Sequence, residues 1–408
     1  MRTAREARRI CLTDTPQAAA AAFERRGVEL PEVQALLSSA RGEPERHRSE
    51  TIELSDAWGR TTRTSLYVPE TRGPARRGVI VGLHGVGGSG EELEPKFREL
   101  ADACGAVLLC PTAQQPVDEE SNFDLVGLFG RRFSEARWTP DPGDFPMRAL
   151  SWARENLSVD PDRCALVGAS MGGIAAWNTT ARCWDRTSMT GSVNGAPSVW
   201  ELFGPDRTMR ELLPNLLNLP LAVIHGGRDK QIPSALDRDA VEHLRSLGHR
   251  RISFVEVAEG EHQLSTMRFV PGTPQFDSVV RCFRSSRREP WPRRIVHRAR
   301  ESGAGRAHWV EISHITPGRA AHVEARATGR SGIDIQVTGA SRVRVLLGEQ
   351  LVRPGRVFVR VNGEPREYEF RPSLTDVIST YAESGADPGR TAQMTIDIEV
   401  SEIREREG

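Results

Sequence analysis

The sequence predicts a doubly wound, mostly parallel α/β sheet followed by a small all-β sandwich, and three observations predict it. Between about residues 79 and 257, short apolar runs alternate with helical stretches, the pattern of strands crossing over through helices. Several of those runs end in glycine-rich or polar corners, where an open parallel sheet gathers its site. Beyond Arg281 the pattern changes to short segments that alternate apolar and polar residues, as half-buried antiparallel strands do. A chain of 408 residues suggests two or three domains and is ample for a large core. The divisions expected are an N-terminal helical segment over 1–48, the α/β domain over 49–288, and a linker with the sandwich over 289–408.

Taken in order, 17–26 and 31–39 read as helices that dock on the body or form a small cap. Residues 50–54 and 63–68 would form an antiparallel edge hairpin, and 78–83 and 106–110 buried strands. From Pro111 to Pro146 no periodicity is visible, although Phe123, Leu125, Phe129, Phe133 and Trp138 fall there. Long irregular segments often form lids or binding loops, so Phe129 and Trp138 are candidate substrate-binding walls; simple anchoring of the loop to the core stays open as the alternative. Residues 145–157 and 234–247 read as helices, and 164–168, 221–225 and 252–257 as strands. Arginines 284, 287, 288, 293, 294 and 298 around Pro290-Trp291-Pro292 read as a helix end and a solvated linker. About seven alternating strands follow, with Asn362-Gly363 as a type I′ hairpin turn that Glu364-Pro365 would widen.

The chemistry centres on Gly168-Ala169-Ser170-Met171-Gly172-Gly173, which follows the apolar run 164–167 and precedes a helical stretch. A serine at a strand-to-helix corner needs small neighbours two residues to either side, because the turn is tight. Its hydroxyl is then raised above the sheet. Upstream, His84-Gly85-Val86-Gly87-Gly88-Ser89-Gly90 can aim backbone N–H groups at an oxyanion, and the expected donors are the amides of Val86 and Met171. The same loop fits the dinucleotide pattern GxGxxG. That pattern requires an acid about 20 residues on, at the end of the next strand, where Pro111-Thr112 stand instead, and Glu91, Glu92 and Glu94 would repel a pyrophosphate. Asp229 and His262 fall just past the strands 221–225 and 252–257. Competing readings remain: Ser170 as a small residue that the turn demands, Asp229 as an Asx-turn residue ahead of Pro233, and His262 as a solvated loop histidine.

With these residues in place, 50–288 resembles an α/β-hydrolase of the esterase, feruloyl-esterase and polyester-depolymerase group, related to the catalytic domain of prolyl oligopeptidases. The order Ser170, Asp229, His262 is that superfamily's order. Val159-Asp160-Pro161-Asp162-Arg163 is similar to a phrase common ahead of its nucleophile strand. The resemblance implies a Ser170-His262-Asp229 triad, an acyl-enzyme intermediate, no cofactor, and a small-molecule or polymeric ester as substrate. Peptide cleavage of the prolyl-oligopeptidase type is the alternative, and a catalytically silent scaffold with a binding sandwich is a third reading.

Composition narrows the field. Fifty-five basic and 55 acidic side chains give zero formal net charge, so overall charge offers no argument for nucleic acid or an anionic membrane. The six cysteines show no CxxC spacing and read as reduced core residues, and His297, His308, His314 and His322 lack ligand spacing, so no metal is expected. No run approaches the roughly 20 apolar residues of a membrane span. Arg8-Arg9 precede Ile10-Cys11-Leu12, but Thr13-Asp14-Thr15-Pro16 breaks the run, so no export signal is read and a cytoplasmic protein is expected. Oligomeric state is not legible.

Overall fold

A computed structural model describes residues 4–39, 45–70, 76–115, 136–198 and 207–400. It divides into two units: the described residues 45–288, and 4–39 together with 289–400.

The N-terminal residues form α1 (Ala4–Thr13), α2 (Pro16–Glu24) and α3 (Leu30–Ser38). The α/β unit then runs β1 (Arg48–Ser55), β2 (Thr61–Val68), β3 (Arg77–Leu83), α4 (Gly90–Cys104), β4 (Val107–Pro111), α5 (Phe145–Asn156), β5 (Val159–Ala169) and α6 (Met171–Cys183). It continues through β6 (Met189–Val193), α7 (Arg207–Leu212), β7 (Leu221–Gly226), α8 (Ser234–Ser246), β8 (Ile252–Val257) and α9 (Pro274–Ser285).

Among the described residues these strands make one eight-stranded sheet in the order β1-β2-β4-β3-β5-β6-β7-β8. β1 and β2 pair antiparallel at the edge, from Arg48↔Val68 to Ser55↔Thr61, and the strands from β4 to β8 run parallel. Strands β3, β4 and β7 are apolar at nearly every position because both faces are covered. Alternation assigns the side chains of β3 and β5: Ile80, Ala165 and Val167 join a core with Phe97, Phe276 and Phe283. Val79, Val81 and Leu166 point the other way, into a core with Leu150 and Ala176. The helices start where their caps allow. Ser89 accepts the amide of Glu92 at the head of α4, and Gly105 ends that helix at φ 61, a left-handed residue that favours glycine.

β6 has no counterpart in the sequence reading. Met189-Thr190-Gly191-Ser192-Val193 is buried throughout yet is not an apolar run, and Gly191 leaves room for Val167 on β5.

In the other unit the strands are β9 (Arg294–Ala299), β10 (Arg306–Ala307), β11 (Val310–Ile315), β12 (Ala321–Thr328), β13 (Gly332–Thr338), β14 (Ala340–Leu347), β15 (Gly355–Val361), β16 (Glu364–Phe370) and, after α10 (Leu374–Glu383), β17 (Met394–Glu399). They form sheets in the orders β10-β11-β14-β17 and β16-β15-β13-β12-β9, antiparallel except for β13 beside β15. Val310, Ile312, Val343 and Val345 are buried from one sheet, and Val323, Ile335, Val337 and Val357 from the other. Arg294 and Arg298, read as linker, belong to β9, where Ile295, His297 and Ala299 alternate with them toward the interior. The turn at Asn362 (φ 50) and Gly363 (φ 90) is a two-residue loop, because Val361 pairs directly with Glu364. The N-terminal helices share a core with α10: Phe23, Val33 and Leu37 cluster with Val377, Ile378 and Tyr381. All six cysteines are buried free thiols.

Candidate active site

Ser170 occupies the single residue between β5 and α6, at φ 56 and ψ −122. A non-glycine side chain there carries strain of order 1–3 kcal/mol, which the surrounding structure must impose. Two glycines make the corner possible. A Cβ on Gly168 would lie 2.0 Å from the carbonyl oxygen of Gly172, and one on Gly172 would lie 1.9 Å from that of Leu83. The corner is also tied to β6, since the Ser170 amide donates to Val193 O at 2.9 Å.

From this corner a chain of hydrogen bonds runs inward. Ser170 Oγ lies 2.7 Å from His262 Nε2, and His262 Nδ1 lies 2.7 Å from Asp229 Oδ2. An ionised carboxylate can only accept, so Nδ1 carries a proton and Nε2 is left to accept from the serine. The other oxygen of Asp229 accepts the amides of Gln231 at 2.8 Å and Ile232 at 3.0 Å, in the turn after β7. Burial would raise the Asp229 carboxyl, but the His225 ring 3.5 Å away and hydrogen bonds from His262 and the Ile232 amide outweigh it and hold the group well below the usual carboxylate range. Asp229 therefore stays charged beside the imidazole.

A residue that the sequence reading passed over links these parts. Asn194 follows β6 at φ 50; its Nδ2 donates to the carbonyls of Glu261 and His262, and its Oδ1 accepts the amide of Gly226 at the end of β7. The dipeptide Asn194-Gly195 is a turn signal that marks such a strand end.

The loop after β3 lies against the serine. A Cβ on Gly85 would come 3.2 Å from Ser170 Cβ and 3.6 Å from its Oγ. Among the described residues no acceptor takes the amides of Val86 or Met171. His84 fixes the loop: its Nδ1 bonds the Gly85 carbonyl at 2.7 Å, and its Nε2 accepts the Ala113 amide at 3.0 Å. Burial pushes the His84 imidazole below its usual range, which keeps it neutral and structural. Trp138 lies behind this loop, 7% exposed, its indole donating to His84 O at 3.0 Å, and it does not line the cleft in front of Ser170. Phe129 lies outside the described residues. The cleft has a volume of about 970 Å³. Val86, Leu264, Phe269 and Val270 give it apolar walls, and Lys96 and Arg268 add charge.

Among the described residues there is no group of three or more His, Cys, Asp or Glu side chains that could hold a metal ion. No helix among them is long and apolar enough to cross a membrane.

No protein-family model and no curated protein matches the chain. Solved structures similar to the chain, all at low identity, include esterases, a putative dienelactone hydrolase and an acylaminoacyl peptidase. One is an esterase from Pyrobaculum calidifontis, 19% identical, with a TM-score of 0.42 over 69% of this chain and 97% of that one. Another is an S-formylglutathione hydrolase from Agrobacterium tumefaciens, 14% identical, with a TM-score of 0.44 over 60% of this chain and 98% of that one. A ferulic acid esterase is 15% identical, with a TM-score of 0.41 over 58% of this chain and 99% of that one.

Proposed function

We propose that the protein is a serine hydrolase of carboxylic esters, with Ser170 as nucleophile, His262 as general base and acid, and Asp229 as the acid that orients it. The observation that supports this best is the unbroken chain Ser170 Oγ to His262 Nε2 to Asp229 Oδ2, with both links at 2.7 Å. A serine hydroxyl is a poor nucleophile at its own pKa, and the imidazole takes its proton as the oxygen attacks the ester carbonyl. Asp229 holds the productive tautomer and stabilises the imidazolium that forms. The amides of Val86 and Met171 donate to the oxyanion; removing one such donor in a well-studied protease costs about 10²–10³ in kcat. His262 then returns its proton to the leaving alcohol. A water deprotonated by the same imidazole releases the acid. The ester binds in the cleft in front of Ser170.

The test is a fluorophosphonate label followed by a panel of p-nitrophenyl esters and peptide anilides. Wild-type protein is expected to label at Ser170 and to turn over esters well ahead of anilides, while folded Ser170→Ala does neither. Ester turnover by that variant overturns the reading, and a preference for anilides moves the assignment to a peptidase.

A further inference from the structure

Behind the acid lies a second buried pairing of a histidine with a carboxyl group. His225, in the last turn-ward positions of β7, and Asp237 on α8 are both fully buried, and His225 Nδ1 lies 2.7 Å from Asp237 Oδ2. His225 Nε2 lies 2.8 Å from the carbonyl oxygen of Ile232 and 3.5 Å from Asp229 Oδ2, the same oxygen that receives His262 Nδ1. A carbonyl only accepts, which fixes a proton on Nε2. Trp177 Nε1 donates to the other oxygen of Asp237 at 3.0 Å, which leaves Oδ2 facing His225 Nδ1. Burial alone would lower the imidazole; contacts with Asp229 and Asp237 outweigh it and hold His225 up at about 10. Burial acts on Asp237 in the opposite sense and raises its carboxyl.

We propose that His225, clamped by Asp237, is a positioning residue for the catalytic acid, an imidazolium that shares Asp229 Oδ2 with His262 and limits how strongly Asp229 favours the protonated form of that base. The inference rests on the triad reading above. Other groups facing it are few. On β8 its register partner is Glu256, whose carboxylate is engaged by Ser234 and Arg238 of α8, and from α6 the facing group is Trp177, which does not titrate.

The charge arrangement gives the direction. In His225→Gln the amide can still donate to Ile232 O, but the cation is gone and the buried Asp237 takes up a proton. The nearer positive charge and the farther negative one vanish together, so the net change at His262 favours its imidazolium. The acidic limb of kcat/KM is then expected to move to higher pH by about half a unit or more, at an effective dielectric of about 20. A purely structural role would lower thermal stability and leave the limb in place.

The experiment measures kcat/KM against pH for wild type and folded His225→Gln. Alongside it, NMR of the wild-type chain with ¹³C,¹⁵N-labelled histidine reads the protonation of both ring nitrogens at pH 8. One buried imidazolium at pH 8 and an upward shift of the limb are expected. An unmoved limb, or the absence of any imidazolium at pH 8, overturns the inference, and the NMR arm decides it even where the variant does not fold. Failure of the triad reading is seen separately, as a wild-type protein that a fluorophosphonate does not label; that result overturns both claims, whereas an unmoved limb in a labelled enzyme overturns only this one.

Discussion

The side-chain amide of Asn194 donates to the carbonyl oxygen of His262 at 2.8 Å, so the backbone that carries the candidate base is held from the end of a neighbouring strand. Because the same side chain accepts the Gly226 amide at 2.8 Å, and Val193 O receives the Ser170 amide at 2.9 Å, the end of β6 touches all three parts of the site. Asn194→Ala removes the clamp without adding bulk. The expected result is a drop of about 10²-fold in kcat with a smaller change in KM, the scale on which a misplacement of about 1 Å acts. Steady-state kinetics at a temperature where the variant is fully folded checks it; an unchanged kcat shows that the clamp does not matter to the chemistry.

Asp229→Asn preserves shape but removes the charge and favours the wrong imidazole tautomer, an effect of about 10⁴-fold in the serine-protease reference case. A loss of that order is expected here, while Asp239→Asn, at an exposed position of α8, is expected to leave kcat/KM at the wild-type value. Parallel kinetics on the two variants checks the assignment. Equal losses would show that the acid has not been identified.

Gly172→Ala tests the corner itself. Its Cβ would lie 1.9 Å from Leu83 O and 2.8 Å from His84 O, both backbone atoms that cannot step aside. The expected outcome is a destabilisation beyond the usual 0.5–3 kcal/mol of single substitutions, or failure to fold. Chemical denaturation measures it, and a variant as stable as wild type contradicts the packing described.

Stability should depend on His225 in a defined pH window. Its folded-state pKa of about 10 lies above the ordinary histidine value of 6.5. The contribution is therefore fully present below about 6.5 and is lost as pH rises toward about 10. The difference in Tm between wild type and His225→Gln is accordingly expected to shrink over that interval. Asp229 has the opposite sign: its depressed carboxyl stabilises above the ordinary value of 3.8, and that contribution is lost as pH falls below it. Thermal melts across the two ranges separate the effects, and a wild-type-to-variant gap that widens toward pH 10 contradicts the first.

Phe23 on α2 is fully buried in the cluster with Val377, Ile378 and Tyr381 of α10. Phe23→Ala should destabilise that unit by about 3–5 kcal/mol through lost burial and an unfilled cavity. Scanning calorimetry is the measurement. A shift of less than 1 °C would mean that the helices contribute little to the shared core.

The parts of this protein legible in the sequence are those written in local chemistry. Buried strands such as 79–83 and 221–225 announce themselves because both faces of a central parallel strand are covered and nearly every position turns apolar. The corner at Ser170 is legible because glycine is required where backbones come within contact distance, and Asn362-Gly363 because both positions need positive φ. β6 was not, since Thr190, Gly191 and Ser192 carry no apolar run and are buried by β5 and β7 at the edges and by α6 and α9. Nor was β9, whose arginines alternate with inward residues beneath a basic, proline-flanked composition. Asn194 lies 67 and 68 residues from the carbonyls it holds, His225 lies 12 from Asp237, and Phe23 meets a helix more than 300 residues further along the chain. A residue's type and near neighbours set its propensity and its turn, but a hydrogen bond or a shared core between distant segments exists only once the chain has brought them together, and that juxtaposition was decided by the tertiary structure alone.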